Sequence, residues 1–142
     1  MRIVIDTNVW VSGLLWRGAP WELLRLAEKG SLTLCTTPEI LSELADVLSY
    51  ERIRHRVDQL GLTPAELVGY AMNLASLFEI AEGDSIVLAD PDDDQFIWCA
   101  QAAKASHIVS GDHHLLDLGS FAGIQIVTVR EFMDREFPEA ST

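Results

Sequence analysis

The chain has 142 residues, 49% hydrophobic and 23% charged, a composition that suits one globular domain and excludes a disordered protein. No apolar run reaches the roughly 20 residues of a membrane helix, and the apolar N-terminal stretch is too short for a signal peptide. Ten Lys and Arg against 22 Asp and Glu give a net charge of −12, which excludes a broad basic face for nucleic acid. Binding of phosphates through divalent cations stays open. Cys35 and Cys99 lie in apolar segments and are expected to be reduced core thiols of a soluble cytoplasmic protein.

The first half of the chain alternates short apolar runs with segments of helical periodicity. Residues 3–5 are continuously apolar and partly β-branched, which is typical of a strand buried on both faces. Thr37 and Pro38 are a cap and a first-turn proline, and Thr63 with Glu66 forms a capping box. The predicted elements are a strand over 3–5, a helix over 20–29, a strand over 32–35, a helix from 37 to about 48, and two helices within 50–82, the second running from 63 to about 78.

The second half continues the same alternation. Its predicted elements are a strand or extended segment over 86–89, a helix over 93–104, strands over 107–110 and 124–127, and a helix over 128–137. Alternating strands and helices predict an α/β fold with a mostly parallel sheet. We expect one domain over 1–137 and a short C-terminal tail over 138–142.

Acidic residues fall where predicted strands end. Asp6 directly follows the first strand, Asp112 follows the strand over 107–110, and five residues at 90–94 include four aspartates. Glu43 lies on the helix after the second strand, on the face opposite its apolar stripe. Because the functional crevice of a parallel sheet lies beyond the carboxyl ends of its strands, these acids are expected to converge there.

Each acid alone has an ordinary explanation as a helix cap, a turn residue or a solvated charge. Together they are more informative, because two carboxylates about 5 Å apart at a dielectric near 20 repel by about 3 kcal/mol. Converging carboxylates either raise their pKa values or hold a cation, and hard oxygen ligands favour Mg²⁺ or Mn²⁺. Such an ion suits hydrolysis of phosphodiester bonds.

Four segments of the chain resemble, in order and spacing, the PIN-domain ribonucleases. The segments are Ile3-Val4-Ile5-Asp6-Thr7-Asn8-Val9, Thr37-Pro38-Glu39-Ile40-Leu41-Ser42-Glu43-Leu44, Asp90-Pro91-Asp92-Asp93-Asp94-Gln95-Phe96 and Ile108-Val109-Ser110-Gly111-Asp112. The resemblance extends from residue 1 to about 130. It implies a single PIN-like α/β domain, with a five-stranded, mostly parallel central sheet flanked by helices and with the acids at the strand ends.

The resemblance also implies which residues form the site. By position, the catalytic and metal-binding acids are Asp6, Glu43, Asp93 and Asp112. Asp93 is preferred over its neighbours because its helical row brings it near the inward side. The supporting residues are Thr7, Asn8, Ser110, Asp90 and Asp94. This chain departs from the pattern at His114, where relatives often carry a further acid, and Asp117 is a weak substitute for it.

The activity implied by the resemblance is that of an endoribonuclease that depends on Mg²⁺ or Mn²⁺. Water would attack phosphorus in line and leave a 5′-phosphate and a 3′-hydroxyl, with Glu43 as a metal ligand or as the base that orients the water. The same resemblance implies the toxin of a toxin–antitoxin pair, silenced by a small antitoxin protein that blocks the cleft, and a homodimer.

The basic residues suggest where RNA could bind. Arg52, Arg54 and Arg56 form one concentrated group, with Arg17 elsewhere in the chain, and we hypothesise that they contact the RNA backbone. The alternative is a solvated helix whose arginines pair with Glu51 and Asp58.

The aromatic and imidazole side chains leave several interpretations open. Trp10 and Trp16 fall in a predicted loop after Asp6, where they could stack a base, contact a partner or be buried. Trp98 is expected to pack in the core. His113 and His114 are expected to be solvated in a turn, although a general base or metal ligands are alternatives.

Two other functions stay open on sequence grounds. A PIN-like fold could be retained for binding without catalysis. A phosphoaspartyl phosphatase or receiver-type protein also has an aspartate after its first strand, but the phosphatase needs an aspartate where this chain has Asn8. Both need a lysine near the phosphate, and the two lysines, Lys29 and Lys104, do not follow a predicted strand.

Overall fold

The computed structural model describes residues 1–80 and 93–140. Within these ranges the chain forms six strands and eight helices. Their bounds are β1 (Arg2–Ile5), α1 (Thr7–Leu15), α2 (Ala19–Glu28), β2 (Thr33–Thr36), α3 (Pro38–Leu48), α4 (Glu51–Gln59), α5 (Pro64–Leu74), β3 (Ser76–Leu77), α6 (Asp94–Ala103), β4 (His107–Val109), α7 (His113–Leu116), β5 (Ser120–Phe121), β6 (Ile124–Val127) and α8 (Val129–Glu136). The predicted strand over 86–89 and the candidate Asp90 lie outside the described residues.

The strands form one sheet in the order β3-β2-β1-β4-β6-β5. All neighbours pair in parallel except β5, which is antiparallel to β6. The predicted α/β class and mostly parallel sheet are therefore confirmed, but the predicted count of five strands is wrong. The sixth strand, β5, has two residues and turns back through Ala122 and Gly123, both with positive φ. So short a strand has no readable periodicity.

A second difference from the prediction concerns the end of α5. The apolar pattern predicts a helix to about residue 78, whereas α5 ends at Leu74 and Ala75 is already extended. Residues 76–77 form β3, and the Phe78 amide then donates to the carbonyl of Thr36 at 2.8 Å. Pairing with β2 therefore decides the end of this helix, and the local sequence does not show it.

The predicted caps are present at three helices. Thr37 accepts from the amide of Ile40 at the start of α3, and Thr63 accepts from the amide of Glu66 at the start of α5. Thr128 and Glu131 form a complete capping box at α8. Each cap satisfies helix amides that lack a partner within the helix, so these helices begin where the sequence indicates.

Alternate residues of the strands point into two separate cores. Ile3 and Ile5 of β1 pack against α1 to α5 and α8, whereas Val4 packs against α6 on the other face. Cys35 and Cys99 are free and buried in the second core, as predicted. The central strands are thus covered on both faces, so their carboxyl edge is where polar groups can gather.

Two short helices were not predicted, α1 and α7. Six of the nine residues of α1 are buried, so its sequence is apolar on most sides and lacks a clear stripe. Trp10, predicted in a loop, lies in α1 and is fully buried. Of the three roles considered for it, the structure therefore favours burial over stacking on a base or contact with a partner. Trp16 lies just after the helix and is 44% exposed. In the described part of the chain, no helix combines the length and apolar character needed to cross a membrane.

Candidate active site

The pairing of β1 with β4 brings two polar residues together at the carboxyl edge of the sheet. Ile5 is in register with Val109, so Asp6 and Ser110 follow these partners on adjacent strands. The Asp6 carboxylate accepts from the Ser110 hydroxyl and from the Gly111 amide at 3.2 Å, and it caps α1 by accepting from the Val9 amide at 2.8 Å. Three neutral donors therefore fix this carboxylate in one position.

The environment of Asp6 is costly for its charge. Its side chain is buried, with a residue exposure of 4%. Burial raises the pKa of Asp6, the three hydrogen bonds lower it, and the nearby Asp112 carboxylate raises it further, with a net rise. A cation near Asp6 would offset this cost.

Asp112 is tied to the same arrangement through Ser110. The Asp112 amide donates to the Ser110 hydroxyl oxygen at 2.9 Å, while that hydroxyl donates to Asp6. Asp112 caps α7 by accepting from the amide of His114 at 2.8 Å. One serine thus orders two acids from different strand ends.

Asp93 approaches from the face of the sheet that α6 covers. It lies immediately before α6 and is 7% exposed. One ligand atom each from Asp93, Asp112 and His114 lie within 4.8 Å of one another, a grouping that could hold a metal ion. Asp94 is buried at 1% exposure and is not among the residues that line the cleft described below.

Glu43 extends from the middle of α3. The side-chain amide of Gln95 donates to Oε2 of Glu43, linking α3 to the first turn of α6. Glu39 lies one turn earlier on the same helix. Glu43 is therefore positioned by a neutral donor, and among the described residues no lysine or arginine pairs with it.

All four predicted acids line one cleft of about 760 Å³. The lining residues are Asp6, Thr7, Asn8, Glu39, Glu43, Val47, Tyr50, Ile80, Asp93, Gln95, Phe96, Trp98 and Asp112. The volume lies within the range of about 300–1,000 Å³ that is typical of ligand-binding sites. Five carboxylates and no basic side chain line this cleft in the part of the chain that the structure describes.

The two polar residues predicted after β1, Thr7 and Asn8, both line the cleft but differ in burial. Thr7 is 3% exposed, and its hydroxyl has no hydrogen-bond partner within residues 1–80 and 93–140. Asn8 is exposed. Carboxylate oxygens with a spare hydroxyl are the donor set that hard divalent cations prefer, so the residues present fit a Mg²⁺ or Mn²⁺ ion.

Several residues of this cleft were not predicted to belong to it, and three of them carry polar or aromatic side chains that could contact a substrate. Trp98 was expected to pack in the core, but it is half-buried and lines the cleft, as do Gln95 and Tyr50. Gln95 and Trp98 are one turn apart on α6, so their shared face was readable from their spacing. Tyr50 lies between α3 and α4 and carries no comparable signal. His113 and His114, expected in a turn, lie on α7.

The candidate RNA-binding arginines lie outside the cleft lining. Arg54 pairs with Asp58 at 3.1 Å, and Arg56 donates to the carbonyl of Leu15 at 3.0 Å. Arg17 lies over the ring of Trp21, 4.5 Å from its centroid. Arg52 is exposed. The helix that carries three of them, α4, begins directly after the cleft residue Tyr50, so RNA contact by these arginines stays a prediction.

The remaining candidate acid, Asp117, is exposed at the end of α7 and does not belong to the group around Asp93. Where a further acid was expected after Asp112, the structure brings the imidazole of His114 close to the acids instead.

Comparison with known proteins agrees with this geometry. A family model for the PIN domain matches residues 2–114. An uncharacterized protein of Methanocaldococcus jannaschii is 30% identical over 125 residues, which cover 83% of this chain and 75% of that protein. The match spans β1, α3, α6 and Asp112, which carry all four acids of the cleft. The chain therefore belongs to the PIN-domain family, a nuclease family whose members bind RNA and typically use divalent metal ions.

Proposed function

We propose that this chain is an endoribonuclease that hydrolyses RNA phosphodiester bonds with Mg²⁺ or Mn²⁺ held by Asp6, Glu43, Asp93 and Asp112. The observation that carries the proposal is that these four acids, from separate segments of the chain, line one cleft at the carboxyl edge of the sheet. Solvated surface acids have no reason to converge in this way, because convergence costs repulsion.

The charge balance of the cleft supports a cation in it. Asp6 is buried beside Asp112, and its contacts come from neutral donors. When bound, Mg²⁺ or Mn²⁺ would stabilise the charge that develops on the phosphoryl oxygens and promote ionisation of a water. The same ion would bring the negative RNA backbone to a cleft whose own charge repels it.

In the reaction, water attacks phosphorus in line, a new P–O bond forms and the P–O3′ bond breaks. The 3′ oxygen takes a proton from solvent, which leaves a 3′-hydroxyl and a 5′-phosphate, and the proton of the attacking water returns to solvent through its acceptor. We assign to Glu43 the role of orienting the attacking water and accepting its proton, because Gln95 holds this carboxylate at the cleft wall. Together with Glu43, the carboxylates of Asp6, Asp93 and Asp112 would hold the cation, and Ser110 positions Asp6 and Asp112.

The decisive experiment measures cleavage of a mixed RNA pool with Mn²⁺, Mg²⁺ or EDTA, and identifies the product ends. We expect metal-dependent cutting that leaves 5′-phosphates and falls about 100-fold or more in Glu43→Gln. Asp46→Asn is the matched control, since it removes an exposed carboxylate from the same helix outside the cleft. Cutting that survives EDTA or Glu43→Gln would contradict the proposal.

The non-catalytic alternative predicts a different result. A protein that binds Mn²⁺ but cuts neither RNA nor DNA would be a binding module. The phosphotransfer alternative has less support, because Lys29 and Lys104 do not line the cleft.

We further propose that Arg17, Arg52, Arg54 and Arg56 contact the RNA backbone beside the cleft. Arg52 and Arg54 are the sharpest pair to test, because Arg56 also holds the Leu15 carbonyl. In Arg52→Ala/Arg54→Ala, the slope of the logarithm of the RNA-binding constant against the logarithm of salt concentration should become shallower by about 1.4. Arg130→Ala, an exposed arginine on α8, is the control. An unchanged slope would mean that these arginines do not contact RNA.

A role as the toxin of a cytoplasmic toxin–antitoxin pair is also proposed, with a small antitoxin protein as partner and a homodimer as the assembly. Family membership and the acidic cleft support it, since an arginine of a partner could neutralise the cleft. Induced expression should stop growth for the wild type and not for Glu43→Gln. Growth arrest by both proteins would contradict a catalytic toxin.

A further inference from the structure

We propose that the imidazole of His114, which lies beside Asp93 and Asp112, is a nitrogen ligand of the divalent cation, and that the site therefore prefers Mn²⁺ to Mg²⁺. This inference rests on the proposed function and specifies its cofactor. His114 stands at a position where the resemblance to the family predicted a further acid.

The geometry brings the imidazole into the metal group. One ligand atom each of Asp93, Asp112 and His114 lie within 4.8 Å of one another. The closest imidazole nitrogen, Nδ1, is 3.7 Å from Oδ1 of Asp112, which is too long for a hydrogen bond. Two atoms at this separation can both ligate one ion, because metal–ligand distances of about 2.1–2.2 Å allow it.

The local fold holds His114 in this place. Asp112 caps α7 by accepting from the His114 amide at 2.8 Å, so the backbone of residue 114 is fixed to the acid that its ring approaches. The ring of His113 packs against that of His114 with centroids 4.2 Å apart.

A second observation points to a ligand in the cleft that Asp93 and Asp112 of this group line. The Thr7 hydroxyl is buried at the cleft floor without a hydrogen-bond partner in the described ranges. A buried hydroxyl without a partner costs free energy, and an ion with its water shell or a phosphate oxygen would supply one.

The chemistry of the donor set gives the metal preference. Mg²⁺ takes oxygen ligands and keeps several waters, whereas imidazole suits first-row transition metals. The ratio of Mn²⁺ affinity to Mg²⁺ affinity is therefore higher for a site of two carboxylates and one imidazole than for a site of carboxylates alone. The substitution His114→Asp would weaken this preference.

The test uses Mn²⁺ binding without RNA, followed by electron paramagnetic resonance. In wild-type protein, pulsed measurements should detect a nitrogen coupled to Mn²⁺. When the histidines carry ¹⁵N, the coupling pattern should change from that of ¹⁴N to that of ¹⁵N. His114→Ala should lose this signal and bind Mn²⁺ about 10-fold more weakly. His113→Asn is the control and should keep both properties.

His114→Asp separates metal selectivity from simple damage. It should bind Mg²⁺ at least as well as the wild type, so its Mn²⁺-to-Mg²⁺ affinity ratio should fall about 10-fold. Thermal melts of the metal-free variants check that they are folded.

The outcomes distinguish this inference from the proposed function. Mn²⁺ binding without a histidine nitrogen signal, or a signal that persists in His114→Ala, would overturn the role of His114 and leave an all-oxygen nuclease site intact. Failure to bind either ion at millimolar concentration would overturn both.

Discussion

The two ends of the neighbouring strands β1 and β4 are built differently. At the amino end, Arg2 donates to the Ala103 carbonyl at 3.0 Å, and the Ser106 amide donates to the Arg2 carbonyl at 2.9 Å. At the carboxyl end, Asp6 and Asp112 share one serine and face an open cleft. The amino end satisfies its polar groups locally, whereas the carboxyl end collects like charges.

This difference separates stability from chemistry within one pair of strands. Contacts at the amino end hold the sheet to α6 and are satisfied without any ligand. At the carboxyl end, burial and the nearby Asp112 carboxylate disfavour the charge of Asp6, which raises the free energy of the metal-free fold. Changes at the two ends should therefore have opposite consequences for activity and for stability.

The largest expected effect is on activity at the carboxyl end. Asp112→Asn and Asp93→Asn should each lower the rate of metal-dependent RNA cleavage by about 100-fold or more, because each removes a metal ligand. The midpoint of thermal unfolding without metal should not fall, since one of several repelling charges is lost. Cleavage assays and calorimetry measure the two effects. A variant that cuts RNA at the wild-type rate would show that its acid is not part of the site.

A smaller effect, on stability alone, is expected at the amino end. Arg2→Ala removes the bond to Ala103 and the contact of the guanidinium over the Phe78 ring, whose centroid is 6.0 Å away. The free energy of unfolding should fall by about 1 kcal/mol, with cleavage per folded molecule unchanged. Urea denaturation tests this, and Arg130→Ala is the charge-matched control. Loss of activity in folded Arg2→Ala would break the separation of the two ends.

The smallest effect is a pH dependence at the start of β4. Burial lowers the pKa of His107, whose ring packs edge-on against Phe132 with centroids 5.2 Å apart. The folded pKa of His107 lies below the unfolded value of 6.5. Burial of the neutral His107 side chain therefore contributes fully to the free energy of unfolding above about pH 6.5. This contribution is lost as the pH falls from that value through the folded pKa.

His107→Phe should remove this part of the pH dependence. Between pH 7.5 and 5.5, its free energy of unfolding should decline less than that of the wild type in urea titrations at each pH. Parallel declines in the two proteins would mean that His107 does not carry the effect.

The sequence indicated that acids would meet at the carboxyl end because Asp6 and Asp112 each follow an apolar run and Glu43 lies on a capped helix, while their role in catalysis and metal binding stays a prediction. Asp6 directly follows the buried residues of β1, and Glu43 lies on a helix whose cap and proline are explicit. These are local signals, and the parallel sheet then brings them together.

Other parts depend on contacts between distant segments. Residues 76–77 become a strand through pairing with β2, and α1 is buried on too many sides to show a stripe. The nearness of His114 to Asp93 joins α7 to the start of α6, so residue identities alone could not reveal it. Pairing and packing over long sequence separations thus account for what was missed.

The most direct test of the central claim, that the carboxyl end of the strands holds a cation, is anomalous diffraction from crystals of this protein soaked with Mn²⁺. We expect a manganese peak in the cleft bounded by Asp6, Asp93 and Asp112, and none at the amino end near Arg2. A cleft without manganese at millimolar Mn²⁺, or peaks confined to carboxylates outside the cleft, would contradict it.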